Sequence, residues 1–130
     1  MILLGHPFIV CEPFLKIVCK EDIENTPSLG VVCFDYHDRD VSLCHYAASN
    51  EASFALFVRD EREVILASAL GASFIVCEKG LVVQAQKFAD DYLFDAKILL
   101  YSEKEEDIVY AAKHSVDGIL FKEGVKDGSN

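Results

Sequence analysis

Residues 53–80 read SFALFVRDEREVILASALGASFIVCEKG, and residues 97–124 read KILLYSEKEEDIVYAAKHSVDGILFKEG. The two stretches align without a gap at a constant offset. Glu61 meets Glu105, Glu63 meets Asp107, Ala67 meets Ala111, Ile75 meets Ile119 and Gly80 meets Gly124. Each copy gives an apolar run, a charged break, a helical pattern and a second apolar run. That order is a βαβ unit, and it occurs twice. What the copies share is packing: apolar strands, an Ala-bearing helix face and a closing glycine. The polar positions differ, since Arg59 meets Glu103, Asp60 meets Lys104 and Glu78 meets Lys122. The repeat therefore speaks for the architecture, and a function has to be sought in the differences.

Local signals sharpen the first copy. Asp60 is placed as a helix N-cap, with Glu63 three residues on as the other half of a capping box. Gly71 is placed to end that helix in a left-handed conformation. Upstream, Val31 to Asp35 (VVCFD) is a strand whose unbroken apolar run suits burial on both faces. Val41 to Ser49 reads as a helix with Asn50 as its stop. Leu81 to Leu93 is amphipathic, with Leu81, Ala85, Phe88, Ala89 and Tyr92 at helical spacing. Glu103 to His114 reads as a helix with acids in its first turn, where the helix start favours them. Lys126 to Asn130 reads as a frayed tail.

Residues 1–30 are the least regular. A strand is expected at Leu15 to Cys19 and another at Ile2 to Leu4 or Phe8 to Cys11. Pro7 and Pro13 suit an edge or crossing segment, because proline cannot donate a ladder hydrogen bond. Lys20 to Asn25 gives one helical turn, and Ser28 to Gly30 is turn chemistry.

These pieces predict one α/β domain over residues 1–130, an irregular segment 1–30 followed by repeated βα units over 31–124. Short alternating β and α elements imply a parallel sheet with right-handed crossovers. The expected arrangement is a flavodoxin-like three-layer sandwich with a largely parallel five- or six-stranded sheet. The alternative is half of a (βα)8-barrel that pairs with a second copy, since a whole eightfold barrel needs ~250 residues.

Composition narrows the function classes. Hydrophobic residues make up 52% of the 130, enough for a core without disulfides. The formal net charge is −10, with 22 acids against 12 bases. A surface of that sign repels phosphate backbones and anionic bilayers, so neither nucleic acid nor membrane is expected as a partner. Five cysteines without a C-x-x-C fit a reducing cytoplasm better than a secreted disulfide framework. The apolar start lacks a basic leading region and is broken by His6, Pro7, Glu12 and Pro13, which disfavours a signal peptide. Its apolar content with prolines motivates a homodimer contact in residues 1–30.

In open α/β sheets, ligands bind beyond the carboxyl ends of the strands. The strand ends here carry Asp35 with His37 and Asp38, then Arg59, then Glu78, then Ser102, then Lys122. The plain reading is that polar residues follow any buried strand because the chain has reached solvent. The cluster Asp35, His37, Asp38 and Asp40 has the residue types of a divalent-metal site, with Asp35 and Asp38 as hard-cation ligands, but no recognised ligand spacing. Lys122, at the end of GILFK, resembles the Schiff-base lysine of aldolases built on βα barrels, which needs a desolvated or cation-flanked amine. No G-x-G-x-x-G, P-loop, H-E-x-x-H or G-x-S-x-G occurs, so no nucleotide signature is present.

Taken together, these strand ends and the segment VDGILFKEG (residues 116–124) resemble response-regulator receiver domains. The resemblance covers about residues 31–124 and rests on short motifs. It implies Asp35 and Asp38 as the acidic pair beside a bound Mg²⁺, Ser102 as the hydroxyl and Lys122 as the lysine. Glu78 stands where receivers carry the phosphate-accepting Asp, and Glu123 follows Lys122 where receivers usually have proline. A glutamate at that position implies a fixed charge in place of phosphotransfer. The resulting expectation is a non-catalytic binding or regulatory module of pseudo-receiver type, acting through a protein partner or self-association.

Overall fold

The computed structural model describes residues 1–25 and 30–127. The turn expected at Ser28 and Leu29, and the end of the expected tail at 128–130, lie outside them. In chain order the elements are β1 (Ile2–Leu4), β2 (Phe14–Lys16), α1 (Lys20–Glu24), β3 (Val31–Asp35), α2 (Ser42–Ser49), β4 (Ser53–Phe57), α3 (Glu61–Ala69), β5 (Phe74–Cys77), α4 (Lys79–Tyr92), β6 (Lys97–Ser102), α5 (Asp107–Lys113), β7 (Gly118–Phe121) and β8 (Val125–Asp127), with a 3-10 turn at Lys122–Gly124.

The α/β class and the parallel sheet are as expected. The sheet has eight strands rather than five or six, in the order β1-β7-β6-β5-β4-β3-β2-β8, and every pairing is parallel. From β2 to β7 each strand is laid down beside the one before it. The order never reverses, so there is no switch point of the flavodoxin kind, and the curled alternative is the arrangement found. The extra strands are short ones from the irregular N-terminus and from the expected tail. Lys126 and Asp127, expected in a frayed tail, are strand residues instead, because β8 pairs with β2 and sets them opposite Leu15 and Lys16.

The curl follows from where the apolar surface goes. Successive crossovers of one hand put the helices on one face of the sheet. That outer layer packs strand residues such as Phe54, Leu56, Ile75, Ile98 and Leu100 against Val64, Ala67, Val82, Ala85 and Ala111 of the helices. Among the described residues no helix packs on the other face, and it buries itself by curling. Phe14, Cys33, Ala55, Val76, Leu99 and Leu120, one from each of β2 to β7, form a second core of strand residues alone. The Phe14 and Phe74 rings lie 5.1 Å apart although two strands separate β2 from β5. Only the 3-10 turn separates β7, beside β1, from β8, beside β2. The strand line that borders one end of the sheet is thus carried round to the other within one chain.

The two repeat copies are β4-α3-β5 and β6-α5-β7, each an adjacent strand pair with its crossover helix. The expected cap is present: Asp60 accepts from the Glu63 N–H at 2.9 Å, while Glu63 Oε1 accepts from the Arg59 N–H at 3.0 Å. Gly71 follows the helix with φ +92°. Replacing Asp60 by Ala should therefore destabilise the fold by about 1 kcal/mol, read as a lower urea midpoint with an unchanged slope. The second helix begins at Asp107, four residues later than expected from its acids. The Ser102 side chain intervenes: its Oγ accepts from the Lys104 N–H at 2.9 Å and holds the chain in a turn. Glu63 and Asp107, which meet in the repeat, are both buried acids at helix starts.

Among the described residues, no helix is long and apolar enough to cross a membrane. Phe8, Ile9 and Val10, in the connection from β1 to β2, are exposed.

Candidate functional site

Side chains alternate along a strand, so residues two apart share a face. The inward lines that begin in the second core can be followed to the carboxyl ends of the strands. Phe14 leads to Lys16, Cys33 to Asp35, Phe57 to Arg59 and Val76 to Glu78. In sheet order from β2 to β5 these rim residues read cation, anion, cation, anion. They surround a cavity of ≈ 650 Å³ whose walls also include His37, Leu81 and Val125. Phe57, Val76 and Tyr101 stand among the apolar wall residues, with the Tyr101 ring edge-on to Phe57 at 5.7 Å. The Lys16 ammonium lies 5.8 Å from the centre of the Phe57 ring, and the side chain borders both this mouth and the neighbouring groove.

The second core closes the cavity from below. Burial pushes the Cys33 thiol of that core up to about 12, with the nearby Lys16 charge opposing, and burial pushes Cys77, which belongs to the outer layer, up to about 12. Both are thiols at neutral pH, so neither is a ready nucleophile. In native protein they should resist iodoacetamide while the exposed Cys19 is alkylated, as read by peptide mass. Burial also raises the Tyr101 hydroxyl, helped by the Glu103 charge, so it stays a neutral hydrogen-bonding group.

Of the residues expected from sequence, the structure brings Asp35, His37, Arg59 and Glu78 to this mouth, Arg59 as a largely exposed side chain that also faces Glu63 of α3 at 4.0 Å. It takes Asp38, Ser102 and Lys122 elsewhere. Asp38 pairs with Arg62 of α3, and the guanidinium holds its carboxyl below the usual range. Asp40, beside it, accepts from the backbone and hydroxyl of Ser42 at the start of α2. Lys122 is exposed and pairs with Glu103 at 3.4 Å. No group of three or more His, Cys, Asp or Glu placed to hold a metal occurs among the described residues.

Ser102 has a structural partner. Its hydroxyl donates to Asp107 Oδ2 at 2.7 Å, and Lys79 Nζ donates to Asp107 Oδ1 at 3.0 Å. Lys79 also lies 4.5 Å over the Tyr110 ring. The Ser102 bond, with Lys79, lowers the Asp107 pKa against the opposing effect of burial. A carboxylate with a depressed folded pKa adds stability above its unfolded value, and this is lost as pH falls through the folded one. Ser102→Ala should thus cost about 1–3 kcal/mol at pH 7, and the gap to the parent should shrink below about pH 4. Urea melts at pH 7 and pH 3 measure it; a gap independent of pH would remove the carboxylate from the account.

Sequence reasoning missed Lys16 and Tyr101. The signal for Lys16 was the alternation Phe14-x-Lys16, the same as Cys33-x-Asp35, but the expected strand began one residue late and ran on to Cys19. Tyr101 reads in sequence as one more apolar strand residue.

The class that fold and site define is an α/β chain with a curled parallel sheet and a charged rim around one open mouth. No protein-family model matches the chain, and no curated protein matches it.

Proposed function

We propose that this chain is a binding domain for a small polar molecule, seated in the mouth at the carboxyl ends of β2 to β5. The observation that carries the reading is the convergence of Lys16, Asp35, Arg59 and Glu78 over an apolar, aromatic-walled cavity of ≈ 650 Å³. Sites of this kind combine apolar walls, which supply contact area, with a few polar groups, which fix orientation. Parallel sheets place such groups at this end because each strand hands over to its loop there.

The pseudo-receiver reading is one form of this proposal, with Asp35 and Glu78 as fixed carboxylates at the mouth. Ser102 and Lys122 do not contribute to it, since neither lines the cavity. The enzymatic alternative at Lys122 has less support, because that lysine does not line the cavity.

Amide chemical-shift mapping with a panel of metabolite-sized polar fragments tests the proposal. Shifts should cluster on residues 57, 58, 76, 77 and 101, which line this cavity and not its neighbours. Shifts confined to the neighbouring groove around Val18, Leu43 and Tyr46, which shares Lys16, Asp35 and His37 with the mouth, would count against it.

A further inference from the structure

Building on the mouth as a ligand site, we infer that its ligand is a zwitterion with an apolar body, of the α-amino-acid type. The chain as a whole carries a formal charge of −10. The four cavity-lining charges of β2 to β5 nevertheless alternate, two cations with two anions, while Arg59 also faces the buried Glu63 at 4.0 Å and Lys16 stands in register with Asp127 of β8. In sheet order Lys16 and Arg59 flank Asp35, and Asp35 and Glu78 flank Arg59. A ligand with one charge would satisfy half of this rim and face like charge from the other half. A ligand with a carboxylate and an ammonium on one carbon offers each half an opposite charge.

Burial sets the rest of the selectivity. The cavity walls below the rim are Phe57, Val76, Tyr101 and Val125. Phe57 is already faced by a cation and by an aromatic edge. An apolar or aromatic side chain continues that packing, with offset or edge-on ring contacts favoured. A sugar or a polyphosphate would put hydroxyls or surplus negative charge against the same walls. The ligand carboxylate belongs with Lys16 and Arg59, where charge-assisted hydrogen bonds form, and its ammonium belongs with Asp35 and Glu78.

The test uses the whole chain and three probes of one shape: L-phenylalanine, phenethylamine and 3-phenylpropionate. Calorimetry should show L-phenylalanine binding roughly tenfold or more tightly than either singly charged probe, because each lost charge pair is worth about that factor. Lys16→Met should weaken L-phenylalanine roughly tenfold and leave phenethylamine nearly unchanged. Glu78→Gln should do the reverse with 3-phenylpropionate as the insensitive probe. L-leucine provides a second zwitterion of different shape. If a singly charged probe binds as well as the zwitterions and its shifts map to the mouth, the ligand class is overturned and the site stands. If no probe binds and fragment shifts fall elsewhere, the site itself is overturned. Far-ultraviolet circular dichroism of each variant separates a lost contact from a lost fold.

Discussion

Gly5→Ala is expected to destabilise the protein by about 2–5 kcal/mol, combining a left-handed backbone with an overpacked contact. Gly5 has φ +87°, and a Cβ there would lie 2.4 Å from the Gly124 backbone nitrogen. That contact joins the segment after β1 to the 3-10 turn between β7 and β8, the place where the sheet is carried round. Two other glycines separate the two costs. Gly71 has φ +92° with nothing within 4 Å, so Gly71→Ala should show the backbone cost alone, about 1–2 kcal/mol. Gly118 has no such φ, but its Cβ would meet the Ile2 carbonyl oxygen at 2.4 Å. Gly118→Ala should show the packing cost alone, about 1–3 kcal/mol. Urea denaturation of the three variants checks this. If Gly5→Ala costs no more than Gly71→Ala, the close approach of the two segments is wrong.

The same glycines show why part of the fold was legible in sequence and part was not. Gly71 announced itself because a helix end has local chemistry, namely a cap at Asp60, a helical period and a stop. Gly5 and Gly118 carry no such local sign. What they do depends on β1 lying beside β7, a pairing between the two ends of the chain. The βα repeat likewise made the strands and helices of residues 31–121 readable, since each strand is an apolar run between polar breaks. It said little about curl. A flat, doubly wound sheet and a curled one need the same apolar strands and differ in whether helices cover one face or both. At the site, Asp35, Arg59 and Glu78 were readable as strand ends. Lys16 was not assigned, because its strand is three residues long and sits in a proline-broken segment. Asp38 and Ser102 were readable as polar residues but not by role, because their partners, Arg62 and Asp107, come from elements packed beside them.

Phe14 is the residue on which curl and mouth depend together, and Phe14→Ala should cost about 3–5 kcal/mol, a large part of the about 5–15 kcal/mol that holds a domain of this kind together. Phe14 is buried in the inner core, stands opposite both Val31 and Val125, and meets the Phe74 ring across the interior. It lies two residues before Lys16 on the same face. Its loss should therefore act locally as well as globally. The pairing of β2 with β8 is short, and its inner face is held mainly by this ring. Native-state hydrogen exchange should show the amides of residues 14–17 and 125–127 losing protection beyond the global loss. Phe54→Ala supplies the comparison. Phe54 is equally buried, but it packs in the outer layer, stacked with Phe34 at 5.7 Å, on a five-residue strand in the middle of the sheet. Its removal should cost a similar amount and lower protection evenly. Phe14→Leu keeps most of the apolar volume and should restore both stability and the protection of 125–127. An even loss of protection in Phe14→Ala would mean that the sheet is not held closed by this ring. The mouth would then owe the position of Lys16 to the pairing of β2 with β3 alone.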